Sequence, residues 1–157
     1  MSEDARDKIM RALMGQEEAK LWAPFLDFLG LKDEEMIKRL VRILVVHFML
    51  DRGVTDLLAM KLLESTPGQF EKIHQVLARL EMKTRIELAK ASQVISDSTA
   101  SRIKSVNTTR NKLAHYQPQK GWGLAHIPEL SSQEAFEQCT YKAMEAIAEL
   151  SQALSAS

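Results

Sequence analysis

Apolar residues recur at three- and four-residue spacing over most of the chain, the period of an amphipathic helix. The longest such pattern runs from Asp33 to about Asp51, where Met36, Leu40, Ile43, His47 and Leu50 fall on one face. Gly53 is expected to interrupt it, with Val54 to Leu63 resuming as a separate helical piece. Upstream, Ser2 with Glu3 and Asp4 reads as a helix start whose acids meet the positive end of the dipole. That helix runs to Met14 and stops at Gly15. A second segment, Glu17 to Phe28, carries Pro24 as a kink and ends at Gly30.

Thr66-Pro67-Gly68-Gln69 supplies a Thr cap, Pro at the first helical position and Gln three residues after the cap, opening a helix through Leu80. Lys83 to Ile95 is helical by composition. Ser96-Asp97-Ser98 punctuates it and caps a helix from about Thr99 to Ala114. A loop, Tyr116 to Leu130, follows. Ser131 with Glu134 then reads as a capping box for a last helix to about Leu154. No strand pattern competes and no internal repeat is visible. The expectation is one all-α domain over 1–157, an up-and-down helical bundle with a core over 33–155 and an N-terminal helical extension over 1–30.

Composition agrees with that picture. The 157 residues are 45% hydrophobic and 27% charged, with only 6 Gly and 4 Pro, as expected of a helical globular protein with a core of its own. Twenty-one basic residues balance 21 acidic ones, which argues against nucleic-acid binding by bulk charge while leaving room for a local basic patch. The single cysteine, Cys139, has no internal partner and reads as a buried structural thiol in a reducing compartment. The start, MSEDARDKIM, is too charged for a signal peptide. The apolar run from Leu40 to Leu50 is broken by Arg42 and His47 and falls short of the ~20 residues a bilayer span needs. A cytoplasmic protein without membrane contact is expected.

The Thr99–Ala114 helix disobeys its own pattern. On a wheel of about 100° per residue, Ile103, Val106, Leu113 and Ala114 share the side expected to face the core. Arg110 is expected near the middle of that arc, with Asn107 and Asn111 along its edge. An unpaired charge there costs several kcal/mol. Two readings stay open: Arg110 pairs with a carboxylate inside the bundle, or this face opens onto a cleft or interface where the guanidinium meets a phosphate. His115 follows five residues later at the expected helix end, where the dipole favours its charged form and Arg110 opposes it. Asn111, four residues before His115, is placed to orient the imidazole. Tyr116 adds a hydroxyl.

The run Arg110-Asn111-Lys112-Leu113-Ala114-His115 resembles the signature of HEPN domains: Arg, a polar residue that is often Asn, a short spacer and His, late in a helix of a small bundle. The upstream Phe70-Glu71-Lys72-Ile73 helix and the long helix after the motif fit the same pattern, which covers roughly Glu35 to Leu154. Many HEPN proteins are metal-independent endoribonucleases, some of them toxins with antitoxin partners, in which two motifs face each other across a homodimer. The resemblance implies a catalytic set of Arg110, Asn111 and His115, with Tyr116, Lys112 and Asn107 contacting substrate. Arg110 would stabilise charge on the scissile phosphate, His115 would move protons, and Asn111 would orient His115 or the phosphate. The ribose 2′-hydroxyl is the nucleophile and a cyclic phosphate the product, so neither metal nor cofactor is expected. Tyr116 follows the His directly, whereas in toxins paired with nucleotidyltransferase antitoxins it lies two residues on.

The alternative within the same resemblance is a non-catalytic regulatory, protein-interaction or nucleotide-binding module, similar to mannitol-operon-repressor-like proteins, in which Arg110 and Asn111 brace the bundle. Of the remaining residues, His47 reads as a satisfied core histidine rather than a second catalytic residue, and His74, beside Glu71 and Lys72, as part of a solvated face. His126 is a loop residue without a readable partner. Trp122, between two glycines, pins its loop or stacks on a base. Arg102, Lys112 and Lys120 read as scattered surface charge, with a modest basic rim near Arg110 as the alternative. No phosphate-cradling glycine loop, nucleophile elbow or zinc spacing is present in the sequence.

Overall fold

The computed structural model describes residues 34–63, 68–114 and 127–156, and the expected helices at 1–30 lie outside them. The described chain is an all-α bundle: α1 (Glu34–Leu63), α2 (Phe70–Ala78), α3 (Met82–Ala91), α4 (Asp97–Ala114), the single turn α5 (Pro128–Ser131) and α6 (Gln133–Ala156). None of these helices is long and apolar enough to cross a membrane.

The 30-residue α1 is the spine, packing along α6 and against α2, α3 and α4. It buries Ile43, Val46, Leu50, Val54, Leu57 and Leu58, a stripe of three- and four-residue steps that continues unbroken past residue 53. The expected break at Gly53 is therefore absent. A helical glycine costs about 1 kcal/mol relative to alanine, but here a Cβ would lie 3.0 Å from Leu150 Cδ1. Gly53 lets α6 approach α1 closely, and the tertiary contact outweighs the local propensity.

Two apolar clusters fill the bundle. The larger joins the middle of α1 to Leu77, Met82, Ile86, Ala89, Ala100, Ile103, Val106, Ala143, Ala146 and Leu150. The smaller, at the other end of α1, gathers Ile43, Ile127, Leu130, Phe136 and Cys139, with Leu113 packed against it. Cys139 is buried and free, and burial pushes its thiol up from the ordinary value. Arg39 fastens the second cluster, donating to the Leu130 carbonyl and to Gln133 Oε1, each at 3.1 Å, with its guanidinium 5.8 Å from the Phe136 ring centroid.

The caps differ in detail from expectation. Ser96 Oγ accepts the Thr99 N–H at 3.1 Å, so the serine cap before α4 is real. For α6 the capping side chain is Ser132, which accepts from the Ala135 N–H at 3.1 Å, while Ser131 turns back to the Pro128 carbonyl. The turn before α2 places Gly68 at φ +83°, where only glycine sits without strain, and α2 begins at Phe70. Thr66 and Pro67 lie outside the described residues. His74 is not on a solvated face: its ring packs on Phe70 with centroids 5.8 Å apart, and its Nε2 lies 3.0 Å from Asp56 Oδ1 on α1.

Candidate functional site

The helix carrying the motif changes its packing partner along its length. Its first half lies against α6, where the Thr99 hydroxyl and Arg102 both donate to Glu149 and Arg102 Nε sits 3.4 Å from Glu145. The buried positions then step by threes, Ile103, Val106, Thr109, and a three-residue step rotates the stripe by roughly 60° each time. Thr109, not Arg110, is thus fully buried near the end of the helix. The end of α4 is turned toward α5, where Lys112 Nζ donates to both Glu129 oxygens at 2.9 and 3.2 Å. Burial raises the Glu129 carboxyl, but the Lys112 ammonium and the hydrogen bonds it receives hold it below the ordinary range.

Arg110 is consequently exposed, and the expectation that it sits mid-arc in the core is corrected by that winding. It lines a cleft of about 910 Å³ bounded by His47, Phe48 and Asp51 of α1, by Leu80 to Lys83 at the α2–α3 corner, by Arg85 of α3, and by Lys104, Asn107, Thr108, Arg110 and Asn111 of α4. That volume is within the range typical of small-ligand sites, roughly 300–1,000 Å³. Arg110 Nη1 donates to Asn111 Oδ1 at 3.2 Å, and among the described residues no carboxylate lies within ion-pair distance of it.

The other cleft cations are differently placed. Arg85, 6% exposed, meets Asp51 bidentately, Nη2 to Oδ1 at 2.5 Å and Nη1 to Oδ2 at 3.2 Å, and Nη1 also donates to the Thr55 hydroxyl. Its charge is spent inside the wall of the cleft. Lys104 pairs with Glu87 at 2.5 Å, and that hydrogen bond holds the Glu87 carboxyl below its usual range. Across the cleft, His47 Nε2 and Asn107 Oδ1 are 3.1 Å apart, joining α1 to α4. His47 is half-buried at the cleft wall rather than enclosed in the core.

Of the residues the sequence singles out, the cleft gathers His47, Asn107, Arg110 and Asn111. It excludes Lys112, which lies roughly 200° around the helix from Arg110 and is occupied by Glu129. Arg102 is likewise no part of a rim, being held by α6. His115, Tyr116, Lys120, Trp122 and His126 lie outside the described residues. Sequence reasoning missed Asp51 and Arg85. A signal existed, since Arg85 falls one helical step from Met82 and Ala89 in a stripe that is otherwise apolar. Compared with protein-family models, with curated proteins and with solved structures, the chain matches none.

Proposed function

We propose that this chain is an endoribonuclease of HEPN type that cleaves single-stranded RNA without a metal. The supporting observation is the position of Arg110: its guanidinium stands exposed on a cleft of ligand size, beside Asn111, with its charge uncommitted to any carboxylate among the described residues. In this reading the ribose 2′-oxygen attacks the adjacent phosphorus as its proton leaves, the P–O5′ bond breaks, and the departing 5′-oxygen takes up a proton. The products are a 2′,3′-cyclic phosphate and a 5′-hydroxyl. Arg110 neutralises the charge that builds on the non-bridging oxygens, a contribution of about 3–4 kcal/mol for one well-placed donor. Asn111 braces the guanidinium, and His115, five residues on, carries one of the two protons. In the homodimer that the resemblance implies, two such motifs face each other across the interface.

The test is incubation of the purified protein with a single-stranded RNA in EDTA, beside Arg110→Ala and His115→Ala. Fragments ending in 2′,3′-cyclic phosphate, lost in both variants, are expected. Cleavage that persists in both variants, or fragments without a cyclic end, would remove the reading. The second reading, a regulatory module that docks a protein, is favoured by one observation: Leu44, Val45, Phe48 and Met49 expose 45–68% of their surface along α1 beside the cleft. It predicts no RNA turnover in wild type.

A further inference from the structure

Phosphodiester cleavage by an internal 2′-hydroxyl needs two proton transfers, one off the nucleophile and one onto the leaving oxygen. The Arg-Asn-x3-His run supplies one histidine from each chain. The cleft supplies another, 60 residues away in sequence from the asparagine that holds it. We propose that His47 is a further catalytic residue, the general base that takes the 2′-hydroxyl proton, and that Asn107 is its positioning residue; this deepens the ribonuclease reading and rests on it.

Asn107 fixes where the imidazole carries its hydrogen. Its Oδ1 only accepts, so the hydrogen of the 3.1 Å contact belongs to His47 Nε2. With its one hydrogen at Nε2, the imidazole carries its lone pair at Nδ1, the atom a general base requires free. The bond also fixes the ring relative to α4, the helix that carries Arg110 into the same cleft. A core histidine would be enclosed; this one is half-buried in a wall shared with the uncommitted guanidinium. The charged groups facing the cleft with it are Asp51 from its own helix, Glu81, Lys83 and Arg85 from the α2–α3 side, and Lys104 and Arg110 from α4. Asp51 and Arg85 neutralise each other, as do Lys104 and Glu87. No carboxylate among the described residues hydrogen-bonds His47.

The step balances within the substrate. His47 Nδ1 takes the 2′-hydroxyl proton as the O2′–P bond forms, the P–O5′ electron pair leaves with oxygen, and the group carrying the second proton, His115 in the reading above, protonates it. No oxidant or metal enters.

The experiment compares wild type, His47→Ala, His47→Gln and Asn107→Ala on a single-stranded RNA in EDTA, with full pH–rate profiles. Removing a general base lowers kcat by ~10²–10⁴-fold, and the acidic limb of the kcat/KM profile should vanish in both His47 variants. Added imidazole should restore part of the His47→Ala rate and none of the His47→Gln rate, because only alanine leaves a space. Asn107→Ala should lose about 10-fold in kcat with KM unchanged, the loss of one orienting hydrogen bond, and keep the acidic limb. Should the His47 variants fail to fold, the wild-type imidazole resonances of His47 are followed during titration with a 2′-O-methyl oligonucleotide, where a saturable shift is expected. Wild-type cleavage with an unaltered rate and acidic limb in folded His47→Ala, or no resonance shift at saturation, overturns the His47 assignment and leaves the Arg110 reading standing. No cleavage by wild type overturns both.

Discussion

The two halves of α4 use the same kinds of side chain to opposite ends. In the N-terminal half, Thr99 and Arg102 are consumed by Glu149 and Glu145 of α6, so that polar groups serve as seams between helices. In the C-terminal half, Asn107 and Arg110 face a cleft, and their only polar partners among the described residues are His47 and Asn111. The difference comes from what stands opposite. The first half looks onto a continuous helix, and the second onto the gap between α1 and α3. Residue type therefore says little about role here, whereas the presence or absence of a facing carboxylate says much. The cleft wall repeats the lesson: Arg85 is a structural cation because Asp51 is there, and Arg110 is available because no described residue sets a carboxylate against it.

The comparison breaks most sharply at the Asp51–Arg85 pair. Asp51→Ala leaves the guanidinium of Arg85 buried and uncompensated, held by Thr55 alone, and should cost about 3–5 kcal/mol in urea unfolding. Arg85→Met removes the charge instead. Its partner, with a third of its side chain exposed, can turn to water, so a loss of roughly 1–2 kcal/mol is expected. Equal losses in the two variants would mean that burial of the arginine is not the governing term. Next in size is Gly53→Val. Its Cβ would meet Leu150 Cδ1 at 3.0 Å, and the added methyl groups should cost about 1–3 kcal/mol by overpacking, read as a lower urea midpoint at unchanged slope. A stability equal to wild type would show that α6 yields there.

Much of this was legible from the chain, and what was not has a common cause. The helical period, the Ser96 cap, the long last helix and the buried Cys139 all depend on residues close in sequence or on simple burial, and they were read correctly. Gly53 looks like a break because its local cost is visible in the sequence, whereas the approach of Leu150, nearly a hundred residues away, is not. The wheel sets Arg110 mid-arc on the core side because it assumes a straight buried stripe, while α4 winds its stripe from α6 toward α5. Asp51 and Arg85 are 34 residues apart, and the His47–Asn107 contact joins two helices. Such pairings are written in tertiary geometry alone. Lys112 shows the converse error, since adjacency to Arg110 in the motif put it on the far side of the helix.

The α6 seam yields a smaller and pH-dependent effect. The Thr99 hydroxyl, and then Arg102, hold the Glu149 carboxyl below the ordinary glutamate range. A folded-state value below the unfolded one means stability present above the unfolded value, near pH 4.3, and lost as the pH falls through the folded value. Glu149→Gln should therefore cost less than about 1 kcal/mol at neutral pH, the scale of a solvent-screened pair. Its stability curve and that of wild type should converge in acid below the ordinary glutamate range. Curves that stay parallel through that range would mean the carboxylate charge contributes nothing to the seam.

The smallest stability effect belongs to the residue that matters most to the proposed function. Arg110 is exposed, its one hydrogen bond among the described residues is to the neighbouring Asn111, and the buried place beside it is filled by Thr109. Arg110→Ala should leave the unfolding free energy within about 0.5 kcal/mol of wild type, as for an ordinary surface change. If the cleft binds a phosphodiester as proposed, the same substitution should lower kcat on RNA by ~10²–10³-fold, the loss of one donor aimed at developing charge. Had Arg110 braced the bundle, stability and turnover would fall together, by a kcal/mol or more in unfolding. Placing Arg110→Ala beside Asp51→Ala, one silent in stability and the other costly, measures how far a guanidinium with no carboxylate opposite is held in reserve for a ligand.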